Sequence, residues 1–478
     1  MSVNPKITPY YLLNLENVKA NFLSFQNSIR SIGRNDIIAY SVKANYNPAI
    51  IELLNELGSF FEVCSDYEYE LMKKQGISAS RIIVNGCFYK DFSKYKGSIL
   101  IIDTYDQLLE WIKNGSKVKI GIRVNLDFIT GDDRFHNKKS RFGLEIQRGE
   151  VKSSLKQIDT KNIICLHCHI SGNNREPSIY RDIIMQLEKI CQDINLHSVK
   201  YFDIGGGYKI GSKNGFWSFD DYVGEVGAVC TKDIQIIFEP GNSLVRNCAE
   251  YHTKVIAVKK NGTDNIFVVD GSTLHIPKTN IQTADFRFEC CNNPLKYSGQ
   301  RIYGNTCKES DLLFTLTGKE KIAIGDQLVI ENIGAYSLNE INPLILGMPK
   351  VYLKMSEKIL IGNHIFDFVC QYSECYKSIG NNDYTVIKQR KLGRGLYAFV
   401  RNGAILYIGA AYNQNISDRV AQHFRKDSGG LRNKLSKEQI KELEESSLYA
   451  CRLEVSKQHL LFEESLVIGL HRPKFNYL

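Results

Sequence analysis

The feature that most restricts the fold of this chain is an alternation of short apolar runs and stretches with helical spacing. The runs begin with Ile37-Ile38-Ala39-Tyr40-Ser41-Val42, which ends on Lys43. Phe60–Cys64, Ile82–Asn85, Ile99–Asp103, Val118–Val124, Ile163–Ile170, Tyr201–Ile204 and Ile234–Phe238 follow. Helical periodicity intervenes at Ala49–Leu57, Tyr67–Gln75, Tyr105–Asn114, Gly149–Gln157, Pro177–Asn195 and Phe219–Cys230. About eight strands, nearly every one followed by a helix, predict an α/β fold, a (β/α)8 barrel. In such a barrel the chemistry sits where strands end. Lys43, His169, Gly205-Gly206-Gly207 and Glu239-Pro240-Gly241 all fall at those ends.

Lys43 is the residue around which the rest can be organised. Burial at a strand end disfavours its charged form and makes the free amine a nucleophile toward an aldehyde. The alternative is a strand-end lysine that simply reaches solvent.

At 478 residues the chain exceeds one ordinary domain. Before the barrel, Tyr10-Tyr11-Leu12-Leu13 reads as a strand. A helix follows from Leu15, with Val18, Phe22, Phe25 and Ile29 on one face. After about Arg246, short strands separated by Gly, Asn and Asp turns predict an antiparallel β domain: Lys254–Val258, Asn265–Asp270, Ile302–Tyr303, Gln327–Ile330 and Val351–Leu353. The expected domains are a barrel over 25–249 and a β domain from 1–24 and 250–355. A linker over 356–392 and a small α+β module over 393–478 complete the chain. The last module opens with two strands, Gly395–Val400 and Ala404–Gly409, joined by Arg-Asn-Gly, a hairpin signal. Helices are expected at Ser417–Phe424, Lys437–Ser447 and Leu460–Gly469.

Composition excludes several classes. Hydrophobic residues at 43% with 24% charged describe a globular chain. No apolar stretch of about eighteen residues is present, so no helical membrane span is expected. The opening Met-Ser-Val-Asn-Pro-Lys lacks a signal-peptide core, and thirteen cysteines without framework spacing suit reduced thiols. A cytoplasmic protein is expected. Cys165 and Cys168 form a single CxxC inside an apolar run, and without a second pair structural zinc is disfavoured. The net charge of +9 is concentrated at the end. From Lys388 onward there are 16 Lys and Arg against 9 Asp and Glu, a net +7. A polyanion such as DNA is therefore the expected partner of the last module.

In order, the motifs of residues 8–355 resemble the fold-type III pyridoxal-phosphate (PLP) enzymes, specifically the diaminopimelate and ornithine decarboxylase branch. Val42-Lys43-Ala44-Asn45 looks like the Schiff-base lysine motif of that family. His169, in His-Ile-Ser-Gly, is similar to the histidine stacked on the cofactor ring. Arg123 and the run Ser140-Arg141-Phe142-Gly143 match positions lining the site, with Arg141 implied as a substrate contact. Gly205, Gly206 and Gly207 let backbone N–H groups approach a phosphate dianion. Glu239 resembles the acid that keeps the pyridine nitrogen protonated, which makes the ring an electron sink. Tyr336, in Gly334-Ala335-Tyr336, looks like a phosphate contact.

Cys307 and Asp311 resemble the decarboxylases' segment that reaches a neighbouring subunit's site. The cysteine handles the proton returned to Cα, and the aspartate contacts substrate. The resemblance implies a homodimer with shared sites, acting on a small amino acid. Two positions depart from the pattern: Asn242 follows Glu-Pro-Gly where the family has arginine, and Lys308 follows the cysteine where it has an acid. A lysine there would repel a substrate ammonium and suit a carboxylate or hydroxyl. The alternative chemistry on this fold is racemisation.

Residues 393–478 resemble the GIY-YIG nuclease domain, through Gly395-Leu396-Tyr397, Tyr407-Ile408-Gly409, Arg419, His423 and the run from Glu464 to Asn476. That resemblance implies Glu464 as ligand of Mg2+ (or Mn2+), Tyr397 or Tyr407 orienting water, and Arg419 stabilising charge, with His423 beside it on one helical face. Ala410 departs from the lysine common there. A further alternative makes this nuclease the working part of the chain, carried on a degenerate PLP scaffold.

Overall fold

In the computed structural model the chain forms two compact units, Met1–Leu353 and Lys354–Leu478. The structure describes residues 7–354 apart from 90, 127–139, 147–148, 171–174, 211–216, 231–232, 263, 278–280, 283, 290–294, 300, 317–320 and 343. In the second unit it describes 358–361, 364–371, 394–401, 404–412, 434–444, 446–453 and isolated positions as far as 476.

The first unit opens with β1 (Tyr10–Leu13) and α1 (Leu15–Ser31), capped by the Asn14 side chain. Eight parallel strands then close into a barrel: β2 (Ile37–Ser41), β3 (Phe60–Val63), β4 (Ile82–Asn85), β5 (Ile99–Ile102), β6 (Ile120–Arg123), β7 (Ile163–His167), β8 (Tyr201–Asp203) and β9 (Gln235–Phe238). Closure is made by β2 on β9, with Ile37 opposite Ile237 and Ile38 opposite Phe238. The connecting helices are α2 (Pro48–Glu56), α3 (Asp66–Lys74), α4 (Tyr105–Lys113), α5 (Gly149–Lys156), α6 (Pro177–Asp193) and α7 (Phe219–Gly227). The strands and helices predicted for the barrel are all present, most of them a residue or two shorter, whereas the helices predicted at Ser417–Phe424 and Leu460–Gly469 lie largely outside the described residues.

The barrel strands read as continuous apolar runs because both of their faces are covered. Successive side chains alternate sides. Ile38, Tyr40, Phe61, Val84 and Ile102 pack outward in the main core, whereas Ile37, Ala39, Ile83, Ile101, Cys165 and Ile237 meet inside the barrel. One more step of the same alternation brings Ser41, Glu62, Asn85, Asp103, Arg123, His167, Asp203 and Glu239 inward at the C-terminal rim. All eight are buried. The interior is therefore an apolar layer capped by a polar one.

Beyond α8 (Asn242–Val245) the chain enters the second domain of this unit through the long strand β10 (Ala249–Asn261). The strands that follow are β11 (Asp264–Val269), β12 (Phe286–Glu289), β13 (Tyr297–Ser298), β14 (Arg301–Tyr303), β15 (Leu312–Thr315), β16 (Lys321–Ile322), β17 (Gln327–Ile330) and β18 (Lys350–Leu353). The sheet order is β12-β17-β10-β11-β14-β15, with β1 joining β10 and β18. The expected pairing of the N-terminal strand is present, antiparallel to β10. The sheet is not purely antiparallel, as the sequence had implied. β1 runs parallel to β18, and β11 runs parallel to β14. Each of these parallel partners lies too far along the chain for a tight hairpin to join them.

The second unit holds a five-stranded sheet in the order β19-β20-β23-β21-β22: β19 (Lys358–Ile361), β20 (His364–Gln371), β21 (Gly395–Arg401), β22 (Ala404–Ala411) and β23 (Ser447–Arg452). The hairpin β21–β22 is as expected. Two expectations change. The first part of the proposed linker is the antiparallel pair β19–β20, with β20 bound to β23. Gly362-Asn363 between two apolar runs was the overlooked turn signal. The helix expected over Lys437–Ser447 is α9 (Lys437–Glu444), and the chain then returns as β23 between β20 and β21.

Candidate active site

Lys43 is not on a strand. It occupies a 3-10 turn, Val42–Ala44, directly after β2. Three hydrogen bonds from the β domain clamp this turn: the Tyr336 N–H donates to the Ala44 carbonyl at 2.6 Å, Asn45 Nδ2 donates to the Gly334 carbonyl at 2.7 Å, and Asn339 Nδ2 donates to the Lys43 carbonyl at 3.0 Å. Tyr336 takes a positive φ of 63° to make its contact. Thus the predicted Gly334-Ala335-Tyr336 segment reaches the lysine turn, although the two are far apart in sequence.

The Lys43 ammonium donates to both oxygens of Glu62, at 2.8 and 3.1 Å, and approaches Cys64 Sγ at 3.2 Å. This corrects the expected behaviour of the amine. Burial does pull its pKa down. The charge of Glu62, with Cys64, Glu239 and the Glu62 hydrogen bond added, outweighs that and holds Lys43 well above the ordinary ammonium value. Burial and Glu62 together push the Cys64 thiol up, so it stays neutral and donates to Glu62 Oε1 at 2.7 Å.

Glu239 is buried after β9, and among the described residues its Oε1 has no hydrogen-bond partner. His167 Nε2 lies 3.6 Å from Glu239 Oε2 and 4.0 Å from Asp203 Oδ1. Burial raises Glu239, but His167, with Lys43 and His169 behind it, brings its pKa down to about 2. Burial and the neighbouring Glu239 push Asp203 well above the carboxylate range. The charge therefore rests on Glu239 and the proton on Asp203. The three donor atoms lie within 4.8 Å of one another, close enough for a metal ion. The open oxygen belongs to the same rim as the lysine and is free to accept a hydrogen bond from a protonated group.

His169 follows β7. Its Nδ1 accepts the Gly206 N–H at 3.1 Å. Burial, then Arg175 and Lys43, lower its proton affinity well below normal, so the ring is neutral. Gly205 and Gly207 take positive φ values of 66° and 98°. A Cβ on Gly206 would lie 2.1 Å from the Glu239 carbonyl oxygen, and one on Gly205 would lie 2.5 Å from His169 Nδ1. Only glycine fits this loop between the histidine and the acid. A cradle that side chains would fill, a neutral imidazole, an open acid and an amine are a set that fits PLP.

Of the remaining predicted residues, Arg123 stands on the same rim. Arg123 is buried beside Asp103, and Arg141 is exposed; both guanidinium groups lie over the Phe142 ring, at 4.4 and 4.0 Å. Asp311 is buried and already engaged. Its oxygens accept from Ser272 Oγ (2.9 and 3.1 Å), from Thr273 N and Oγ1 (both 2.8 Å) and from Thr306 N (3.2 Å) and Oγ1 (2.6 Å). Its geometry is that of an anchor for the turn carrying Cys307, rather than of a free substrate contact. Cys307 and Lys308 are exposed on that turn, and among the described residues no hydrogen bond joins Cys307 to Lys43. The sequence reading missed Glu62, Asn85, Asp103, His167 and Asp203. Their signal was a polar residue at the last inward position of each apolar run.

In the second unit Tyr397 is buried and Tyr407 half-buried, their ring centres 6.2 Å apart. Burial raises Glu464, opposed by a hydrogen bond from the Ala410 backbone and by Arg419. Arg419 and Glu464 also act on both tyrosines. The four side chains therefore share one neighbourhood. Asn476 closes it, accepting from the Ile408 N–H at 2.8 Å and donating to the Ile408 carbonyl at 2.7 Å. His423 lies outside the described residues.

A barrel whose rim presents a lysine, an open acid and a glycine cradle, completed by a β domain that clamps the lysine, is similar to the fold-type III PLP-dependent decarboxylases. Residues 15–246 match the family model described as pyridoxal-dependent decarboxylase, pyridoxal binding domain. A probable chloroplastic diaminopimelate decarboxylase of Oryza sativa subsp. japonica is 28% identical over 363 residues, 70% of this chain and 72% of the relative. The diaminopimelate decarboxylase of Aquifex aeolicus is 26% identical over 358 residues, 69% of this chain and 82% of its own. Among solved structures, diaminopimelate decarboxylase from Helicobacter pylori complexed with L-lysine superposes with a TM-score of 0.63 at 24% identity, covering 73% of this chain and 92% of that one. A lysine/ornithine decarboxylase from Vibrio vulnificus gives 0.63 at 15% identity, covering 74% and 97%. The first unit is thus of the diaminopimelate decarboxylase type in fold. No helix among the described residues is long and apolar enough to cross a membrane.

Proposed function

We propose that the first unit is a PLP-dependent decarboxylase of an α-amino acid, with diaminopimelate as the first candidate substrate because three of the four relatives named above are described as diaminopimelate decarboxylases. The observation that carries this reading is the buried Glu239, ionised and with one oxygen open, on the same rim as Lys43. When bound, PLP supplies an electron sink for the pair left on Cα as carbon dioxide departs. Glu239 would hold the proton on the ring nitrogen, and the neutral imidazole of His169 would stand beside the ring. Lys43 would hold the cofactor through its amine, and Glu62 would hold that group whenever it is a free ammonium. Cys307, presented by a second copy of the chain, returns a proton to Cα. Lys308 on the same exposed turn biases the site against a lone distal ammonium and toward a distal end that carries a carboxylate, as diaminopimelate's does, or a hydroxyl. The test is carbon dioxide release from meso-diaminopimelate, lysine, ornithine and carboxylate-bearing analogues. Fast turnover of lysine or ornithine alone would refute the bias assigned to Lys308.

A second reading concerns the second unit, favoured by the shared neighbourhood of Tyr397, Tyr407, Arg419 and Glu464. We infer a GIY-YIG-type site in which Glu464 binds Mg2+ or Mn2+ and the basic tail binds DNA. Metal-dependent nicking of plasmid DNA, lost in Glu464→Gln, supports it; no nicking by the wild-type chain removes it.

A further inference from the structure

The glycine cradle needs a counter-charge, and the sequence motif that follows Glu239 does not bring one. Asn242 is neutral, Lys43 is paired with Glu62, and Arg123 lies beside Asp103. Another cation stands against the loop itself. A Cβ on Gly207 would lie 2.8 Å from Arg175 Cζ and 3.0 Å from its Nε and Nη1, so the guanidinium packs on the face that glycine leaves open. We propose that Arg175 pairs with the phosphate of the cofactor held in this cradle, an inference that rests on the PLP reading above.

The surroundings pre-organise this pairing. Arg175 Nη1 donates to the Ile170 carbonyl, and the Arg175 carbonyl accepts from Tyr222 Oη at 2.6 Å. The loop is fixed by the same group of tyrosines: Tyr208 Oη donates to the Gly205 carbonyl at 2.5 Å and Tyr180 Oη to the Gly206 carbonyl at 2.9 Å. With those carbonyls bound by hydroxyls, an arriving anion is not repelled by their dipoles. A planar guanidinium suits phosphate oxygens geometrically as well as by charge. Its field is felt at this corner, since after burial Arg175 is the largest influence lowering the proton affinity of His169.

The experiment compares PLP with pyridoxal, which has the same aldehyde and no phosphate. Both are titrated against the cofactor-free full chain, wild type, Arg175→Lys and Arg175→Met, following the visible absorbance of the adduct with Lys43. Arg175→Met is expected to weaken PLP by about tenfold to a hundredfold, the range of a charge-assisted hydrogen bond, and to leave pyridoxal unchanged. Arg175→Lys should fall between. Inorganic phosphate should slow PLP capture in the wild type and lose that effect in Arg175→Met. Equal weakening of PLP and pyridoxal, or no weakening of PLP, would overturn the assignment. A wild-type chain that captures neither aldehyde overturns the cofactor reading and this inference with it.

Discussion

Glu62→Gln is the substitution that separates two accounts of how Lys43 becomes a nucleophile. In the structure the ammonium sits 2.8 Å from a carboxylate that is itself fully buried, while 42% of the Lys43 side chain is exposed. At that separation the attraction is about 1.5 kcal/mol if screened as in water and about 6 kcal/mol at an effective dielectric of about 20. The exposure of the lysine argues for the lower end. Neutralising Glu62 should therefore ease loss of the proton and speed covalent capture of the cofactor aldehyde by about tenfold near pH 7.5, since about 1.4 kcal/mol is a factor of ten. Stopped-flow absorbance after mixing cofactor-free protein with PLP measures this directly. Cys64→Ala is the control. Its thiol is neutral, so its removal should change the rate far less. Slower capture by Glu62→Gln would refute the argument and make Glu62 the base that takes the proton from Lys43.

Asp311→Asn should lower stability by about 2–4 kcal/mol in urea unfolding, because the amide nitrogen must face the backbone N–H of either Thr273 or Thr306, and neither can turn away. It should reduce kcat while leaving the rate of PLP capture unchanged, and wild-type stability would show that the carboxylate does not anchor the Cys307 turn. His275 is buried and held low in proton affinity, first by burial. Its folded pKa lies below its unfolded one, so the unfolded chain binds more protons and stability falls as pH drops through about 6.5, by up to about 1.4 kcal/mol per pH unit. His275→Asn should flatten the difference in unfolding free energy between pH 7.5 and 5.5, and an unchanged difference would show that His275 is not the group responsible.

The barrel was legible because parallel strands covered on both faces leave uninterrupted apolar runs, and Lys43, His169, the glycine loop and Glu239 all stand where such runs stop. What the linear pattern concealed was pairing across the rim. Nothing in the run Phe60–Cys64 says that Glu62 faces Lys43, because only the parallel pairing of β2 with β3, which sets Glu62 opposite Ser41, brings it beside the turn after β2. That contact reverses the expected effect of burial on the lysine. Arg175 was hidden for a similar reason. It precedes α6 and meets Gly207 only through the packing of the tyrosines behind both. In the second unit the hairpin was plain from its turn, whereas β23 was not. Ser447–Arg452 is bracketed by helical composition, and it forms a strand because β20 and β21 each offer it an edge.

The most direct test of the central claim is trapped carbon dioxide from a panel of amino acids, using PLP-loaded wild type and Lys43→Ala side by side. Release from one amino acid by the wild type, absent in Lys43→Ala, is the predicted result. A yellow, cofactor-loaded protein that interconverts enantiomers, or does nothing, without releasing carbon dioxide would contradict it.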